Sequence, residues 1–214
     1  MSGIAGIVHF DGRPVEPGQI EAMTAAMDYR GPDGINHWVH GHVALGQCML
    51  RTTPESLEET QPLANEDGSL VLVMDGRLDN WEELRADLRK RSVALRDRSD
   101  TELVLRAYEI WGEGCLDHLD GDFALAIWDR IRQRLFCARD RMGHKPFYYR
   151  RENHRFTFAS DPAALLAGSR LPALNTGMLA EFLADEFHSL DETLWTGVHR
   201  LPPAHALEIG RAHV

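Results

Sequence analysis

MSGIAGIVHF, residues 1–10, begins an apolar run within three residues of the amino terminus. Chain ends usually fray, because few contacts offset the entropy of ordering them. Ile4, Ile7, Val8 and Phe10, set among Gly3, Ala5 and Gly6, predict instead a buried strand with neighbouring backbones close by. A terminus drawn into the core suggests that its first residues have a task there. Loss of Met1 would leave Ser2 carrying both a hydroxyl and an α-amine. An α-amine ordinarily titrates at roughly 7.7–8, so part of it is free base near neutrality. Such an amine can activate its own side chain as a nucleophile. On these ten residues alone, the plainer reading is that Ser2 is a small residue that permits removal of Met1.

The rest of the chain sets the frame for that terminus. Its 214 residues suffice for one substantial core, and a single domain is the simplest division. A hydrophobic content of 43% and a charged content of 26% are ordinary for a globular chain. The net charge of −10 argues against a nucleic-acid-binding surface, where a basic face is needed. Cys48, Cys115 and Cys137 are odd in number and form no CxxC pair, which favours a reducing compartment over a disulfide framework or zinc site. No basic segment precedes the first apolar run, so it is unlike a signal peptide, and no apolar stretch is long enough to cross a bilayer. A soluble cytoplasmic protein is expected.

Past the first strand, Pro17 suits a helix start, and Ile20, Met23 and Met27 fall on one helical face. RGPDG, residues 30–34, is a turn, and HWVHGHVALGQCML, residues 37–50, divides into two strands around Gly41. SLVLVMD, residues 69–75, predicts a strand that stops at the Asp75-Gly76 turn signal. Two capping signatures follow: Asn80 with Glu83 before one helix, and Ser99 with Glu102 before another that ends at Gly112. Residues 122–129 and 134–140 alternate as one β-hairpin, and PFYYR with RFTFAS forms a second. A short helix after Asp161, a helix over about residues 176–187 and a strand in LPPAHALEI complete the pattern. Helices segregated from hairpins predict an α+β fold with layered antiparallel sheets.

MSGIAGIV, YRGPDG, ALGQCML, MDGRLDN, SDTE, LDGDFALAIWD, ARDRMGHKPFYY, FASD and VHRLPPAHAL occur in an order that, together, resembles the amino-terminal class II glutamine amidotransferase domain of asparagine synthetases. The resemblance spans nearly all of residues 1–214 and implies an N-terminal-nucleophile (Ntn) hydrolase fold, with two stacked antiparallel sheets between helical layers. It also implies a second, carboxy-terminal adenylating synthetase domain, using ATP and magnesium, that the 214 residues do not include; no cofactor is implied in this domain itself.

An active domain of this family hydrolyses glutamine, and four of its features depart here. The nucleophile position, a cysteine in the family, holds Ser2, which yields less reactive anion near neutrality than a thiol. The arginine that grips the glutamine carboxylate is replaced by Met49, with Arg51, two residues along on the same strand face, as a candidate substitute. The asparagine of the oxyanion hole is replaced by Asp75, whose ionised carboxylate only accepts hydrogen bonds. Gly76 keeps its backbone donor, while Arg77 reverses the charge of a glutamate beside the substrate. Asp100 matches the residue that holds the substrate α-amine. An engineered Cys-to-Ser trap would need only the first change, so the set implies a native loss of glutaminase activity, as in lasso-peptide cyclases and β-lactam synthetases. The lasso-peptide macrocyclase is the preferred relative; an active serine hydrolase and a glutamine-hydrolysing asparagine synthase are the alternatives. Partners implied are the synthetase domain, a peptide substrate or leader-peptide-processing protein, and a second copy in a homodimer. A pure interaction module is a third class.

Two further motifs have plainer readings. His37, His40 and His42 form an HxxHxH cluster, but strand alternation puts His37 on the other face from His40 and His42, which favours solvated hairpin histidines over a metal site. ARDRMGHKPFYYRR mixes basic and aromatic residues as nucleic-acid surfaces do, yet the acidic balance and the resemblance both make it a structural turn.

Overall fold

The computed structural model describes residues 1–168 and 171–210. The opening run forms strand β1 (Gly3–His9), all seven residues buried. It lies inside a six-stranded antiparallel sheet, pairing on one side with β3 (Val43–Cys48) and on the other with β9 (Arg155–Ala159). β2 (Ile35–His40) closes the β3 side, while β8 (Tyr148–Glu152) and β10 (Val198–Arg200) extend the β9 side. The second sheet has the order β11-β7-β6-β5-β4, from β4 (Leu63–Ala64), β5 (Leu70–Leu78), β6 (Gly121–Asp129), β7 (Arg134–Arg139) and β11 (Ala206–Gly210).

Strand alternation builds the layers. From β1, Ile4 and Val8 face the second sheet, meeting Val71 and Val73 of β5 and Ala124 and Ala126 of β6. Ala5 and Ile7 face outward into a cluster with helices α1 (Pro17–Ala25) and α4 (Pro162–Leu166). Leu70, Leu72 and Met74 of β5 face the other way, against α2 (Trp81–Lys90) and α3 (Asp100–Trp111). The result is four layers, helix–sheet–sheet–helix, as the α+β reading expected.

The glycines of β1 meet the requirement read from the sequence. A Cβ on Gly6 would lie 2.2 Å from Phe158 Cε1, in a ring that is fully buried and stacked on Phe147. Gly6→Ala is therefore expected to cost about 3 kcal/mol by overpacking. Urea denaturation checks this; a loss under about 1 kcal/mol would show that the sheet interior yields.

Several elements differ from expectation. β5 does not stop at Asp75-Gly76: it pairs with β6 in unbroken register from Leu70↔Asp129 to Leu78↔Gly121. Nine cross-strand pairs outweigh a local turn signal. Met27 lies beyond the end of α1 but is still fully buried. Asn80 makes no side-chain cap; its amide donates to the His118 carbonyl, and its oxygen accepts from Asp120 N–H. Ser99 does cap α3, accepting from Glu102 N–H, while the Glu102 carboxylate turns to arginines instead of completing the box. The helix expected over 176–187 is α5 (Thr176–Ala184), ended by Asp185 in the left-handed region at φ 54. Strands β4 and β10, of two and three residues, carried no signal of their own.

Candidate functional site

The pairing of Gly3 with Cys48 carries Ser2 alongside the residues that follow β3. Ser2 Oγ accepts from Leu50 N–H at 3.1 Å and lies 3.4 Å from the Leu50 carbonyl; the Ser2 carbonyl accepts from Arg30 at 3.3 Å. At this end of the sandwich lies a cleft of about 360 Å³. Ser2, Met49, Glu59, Gly76, Arg77 and Asp100 are among the residues that line it. Ser2, Gly76 and Asp100, three positions singled out in the sequence, thus share one cavity.

Each wall has a physical cause. Gly76 sits where a Cβ would lie 2.7 Å from the Asp122 carbonyl and from Phe123 Cβ, so only glycine keeps β5 against β6. Asp100, the first residue of α3, accepts from Leu78 N–H at 2.9 Å and so ties the helix start to the end of β5. Burial raises its carboxyl above the usual range, against that hydrogen bond. Met49 is nearly fully buried, with its sulfur 3.5 Å from Gln47 Nε2, and makes an apolar wall. Arg77 points to Asp79 at 2.7 Å, and Arg98 to Glu58 at 2.7 Å, so both cations at the rim are already paired.

Asp75, expected in the site, does not line the cleft: it lies on the opposite face of β5 from the cleft-lining Met74 and is 2% exposed. Its Oδ1 is 3.3 Å from Lys145 Nζ, and its Oδ2 has no hydrogen-bond partner among the described residues. Burial raises its carboxyl, with Lys145, Arg30 and the terminal ammonium pulling the other way. Arg51 is not where the strand argument put it. β3 ends at Cys48, so Arg51 shares no strand face with Met49. Its guanidinium donates to the Ser56 carbonyl at 3.2 Å and the Asp33 carbonyl at 3.0 Å, outside the cleft lining.

Sequence reasoning missed Glu59 and Lys145. Burial pushes the Glu59 carboxyl up to about 7, although it is bonded to Gln61 and Thr101; Asp100 adds to the rise. Nothing local marks Glu59, whereas an aspartate inside an apolar strand is itself a signal that a cation lies nearby. The histidines do not converge: His37 bonds Thr24 at 2.7 Å, His40 stacks on Trp38, and His42 meets the edge of Trp128. Among the described residues, Asp122, Asp140 and His144 bring ligand atoms together. Those atoms are already engaged, His144 with Asp122 at 2.7 Å and Asp140 with the N–H groups of Met142, His144 and Lys145. In the basic–aromatic run, Arg139 is taken up internally by the carbonyls of Gly143, Lys145 and Leu201. No described helix is long and apolar enough to cross a membrane.

A sheet sandwich with its amino terminus set at a cleft between the strand ends defines the Ntn amidotransferase class of fold. Two solved structures share it: glutamine phosphoribosylpyrophosphate amidotransferase from Bacillus subtilis (TM-score 0.64, 21% identity, covering 77% of this chain and 43% of that one) and an allosteric regulatory enzyme of purine biosynthesis (TM-score 0.69, 18% identity, covering 97% and 47%). At those identities the likeness is one of fold. The chain belongs to the glutamine amidotransferase domain family, which matches over residues 1–214. It is 36% identical to asparagine synthetase (glutamine-hydrolyzing) 3 of Bacillus subtilis, covering 99% of this chain and 35% of that protein. It is 30% identical to asparagine synthetase (glutamine-hydrolyzing) 2 of the same organism, covering 98% and 29%, and to amidase chry2 of Gibberella zeae, covering 97% and 32%. The chain spans about a third of the length of these relatives.

Proposed function

We propose that this is a glutamine-amidotransferase-like domain whose cleft has lost glutamine hydrolysis and which serves an ATP-dependent, amide-forming synthetase domain. The observation that carries the reading is the Asp75–Lys145 ion pair at the position that supplies an oxyanion donor in the family. A carboxylate there presents acceptors toward developing negative charge, and loss of one oxyanion donor alone costs about 100- to 1,000-fold in rate. Met49 in the cleft wall offers no charge to a substrate carboxylate, and Arg51 is engaged elsewhere. Ser2 Oγ bonds only to Leu50 among the described residues, so no side-chain base activates it; with Met1 in place the terminal amine belongs to Met1.

The partner reaction we favour uses an amine already present in the substrate, as lasso-peptide macrocyclases do, because such a reaction needs no ammonia. ATP and magnesium would act in the synthetase domain. Deletion of the gene followed by mass spectrometry of the host's peptides tests this: loss of a macrocyclised peptide is expected, and an unchanged cyclic product would refute it. The names of the relatives favour a second reading, a working glutaminase domain. Calorimetry with millimolar glutamine separates the two: no saturable heat is expected, whereas saturable binding supports the second reading.

A further inference from the structure

Residues 171–199 stand apart in composition: they contain five carboxylates and no lysine or arginine. α5 buries only Met178, leaving Phe182 58% and Leu183 76% exposed. Asp185 turns the chain, and the following loop folds back along the helix, with Ser189 bonded to Glu181 and Leu174 bridged to Trp195. That loop exposes Phe187 and Leu190 as well, at 59% and 73%. The Phe182 and Phe187 rings meet edge to face, 6.5 Å apart. Between them and the first sheet runs a groove of about 300 Å³, walled by Tyr148, Pro162, Met178, Phe182, Phe187 and Leu194. A contiguous apolar surface of this kind on an otherwise charged chain marks an interaction site.

We infer that this groove docks a polypeptide segment of apolar residues flanked by lysine or arginine. The charge around it selects that occupant. Glu192 lines the groove, and Glu181, Asp185, Glu186 and Asp191 lie on the same helix and loop that supply its Phe182 and Phe187 walls. Arg200, the one arginine in the groove wall, is committed to the Leu190 carbonyl at 3.1 Å. A second copy presenting the same face would set acid against acid, and an anionic bilayer would be repelled, whereas basic flanks gain from every carboxylate. The groove shares no residue with the Ser2 cleft, so the inference stands independently of the proposed loss of glutaminase activity.

The test uses the full chain and two fluorescein-labelled amphipathic peptides, one of leucine and lysine, the other of leucine and glutamate. Fluorescence polarisation is expected to saturate with the Leu/Lys peptide at least tenfold more tightly than with the Leu/Glu peptide, and to weaken with added salt. Phe187→Asp, in the exposed loop, and Phe182→Ser are each expected to weaken the Leu/Lys peptide at least tenfold, with unchanged far-UV circular dichroism. Equal binding of the two peptides, no binding, or binding indifferent to both substitutions would overturn the proposal. So would a concentration-dependent dimer in sedimentation that both substitutions abolish, since the occupant would then be a second copy.

Discussion

Restoring four side chains together, Ser2→Cys, Met49→Arg, Asp75→Asn and Arg77→Glu, is expected to raise ammonia release from glutamine at least about 100-fold over the unaltered chain. The cleft already brings residues 2, 49, 76, 77 and 100 together, so three of the substitutions change chemistry on an existing wall, while the fourth, at residue 75, is buried beside Gly76 outside the lining. Cysteine supplies a better nucleophile, arginine a two-pronged grip on the substrate carboxylate, and asparagine an amide donor in place of a charge. Asp75→Asn also frees Lys145 from its partner, so a modest stability loss should accompany the gain. Ser2→Cys alone should stay at background, because a thiolate without the grip or the donor has neither a held substrate nor a stabilised oxyanion. A coupled glutamate-dehydrogenase assay on protein whose Met1 removal has been verified by mass spectrometry measures this. Activity from Ser2→Cys alone would show that the other three positions do not silence the cleft.

The second large effect concerns what holds Asp100 in place. Glu102, in the first turn of α3, is fully buried and accepts from Arg106 Nε at 2.8 Å and from Arg96 Nη2 at 2.6 Å. Arg106 is also bonded to Glu66 and Glu109. Removing one partner of a buried pair strands the other charge, at a typical cost of about 3–5 kcal/mol. Glu102→Ala should fall near the lower end, about 3 kcal/mol, since Arg106 keeps two other carboxylates. For a chain of this size that is a melting shift of about 6–12 °C. Burial pushes the Glu102 carboxyl up, but the hydrogen bonds from Arg96 and Arg106 outweigh it and hold the group below its usual range. Its contribution is therefore present above the unfolded pKa of about 4.3 and fades as pH falls through the lower folded value. The wild-type advantage over Glu102→Ala should shrink in acid; an advantage that stayed constant there would contradict the ion-pair account.

How much of this was legible in the sequence depends on what kind of interaction decided each feature. β1, the two hairpins and the Ser99 cap were readable because apolar alternation and a local hydrogen bond fix them. The run of β5 through Asp75-Gly76 was not, because the deciding partners are residues 121–124, nearly fifty positions away. Within the cleft, Ser2, Gly76 and Asp100 came from motif positions and do share one cavity. Arg51 failed as a cleft residue because its placement turned on where β3 stops, and Cys48 is that end. Glu59 and Lys145 stayed hidden because burial and long-range pairing, not local pattern, give them their character.

The most direct test is ammonia release from glutamine by the unaltered chain once Met1 has been removed. Ammonia at the level of a Ser2→Ala control is the result expected of a cavity that neither holds the acid end of glutamine nor steadies an oxyanion. Turnover that Ser2→Ala abolishes would contradict it.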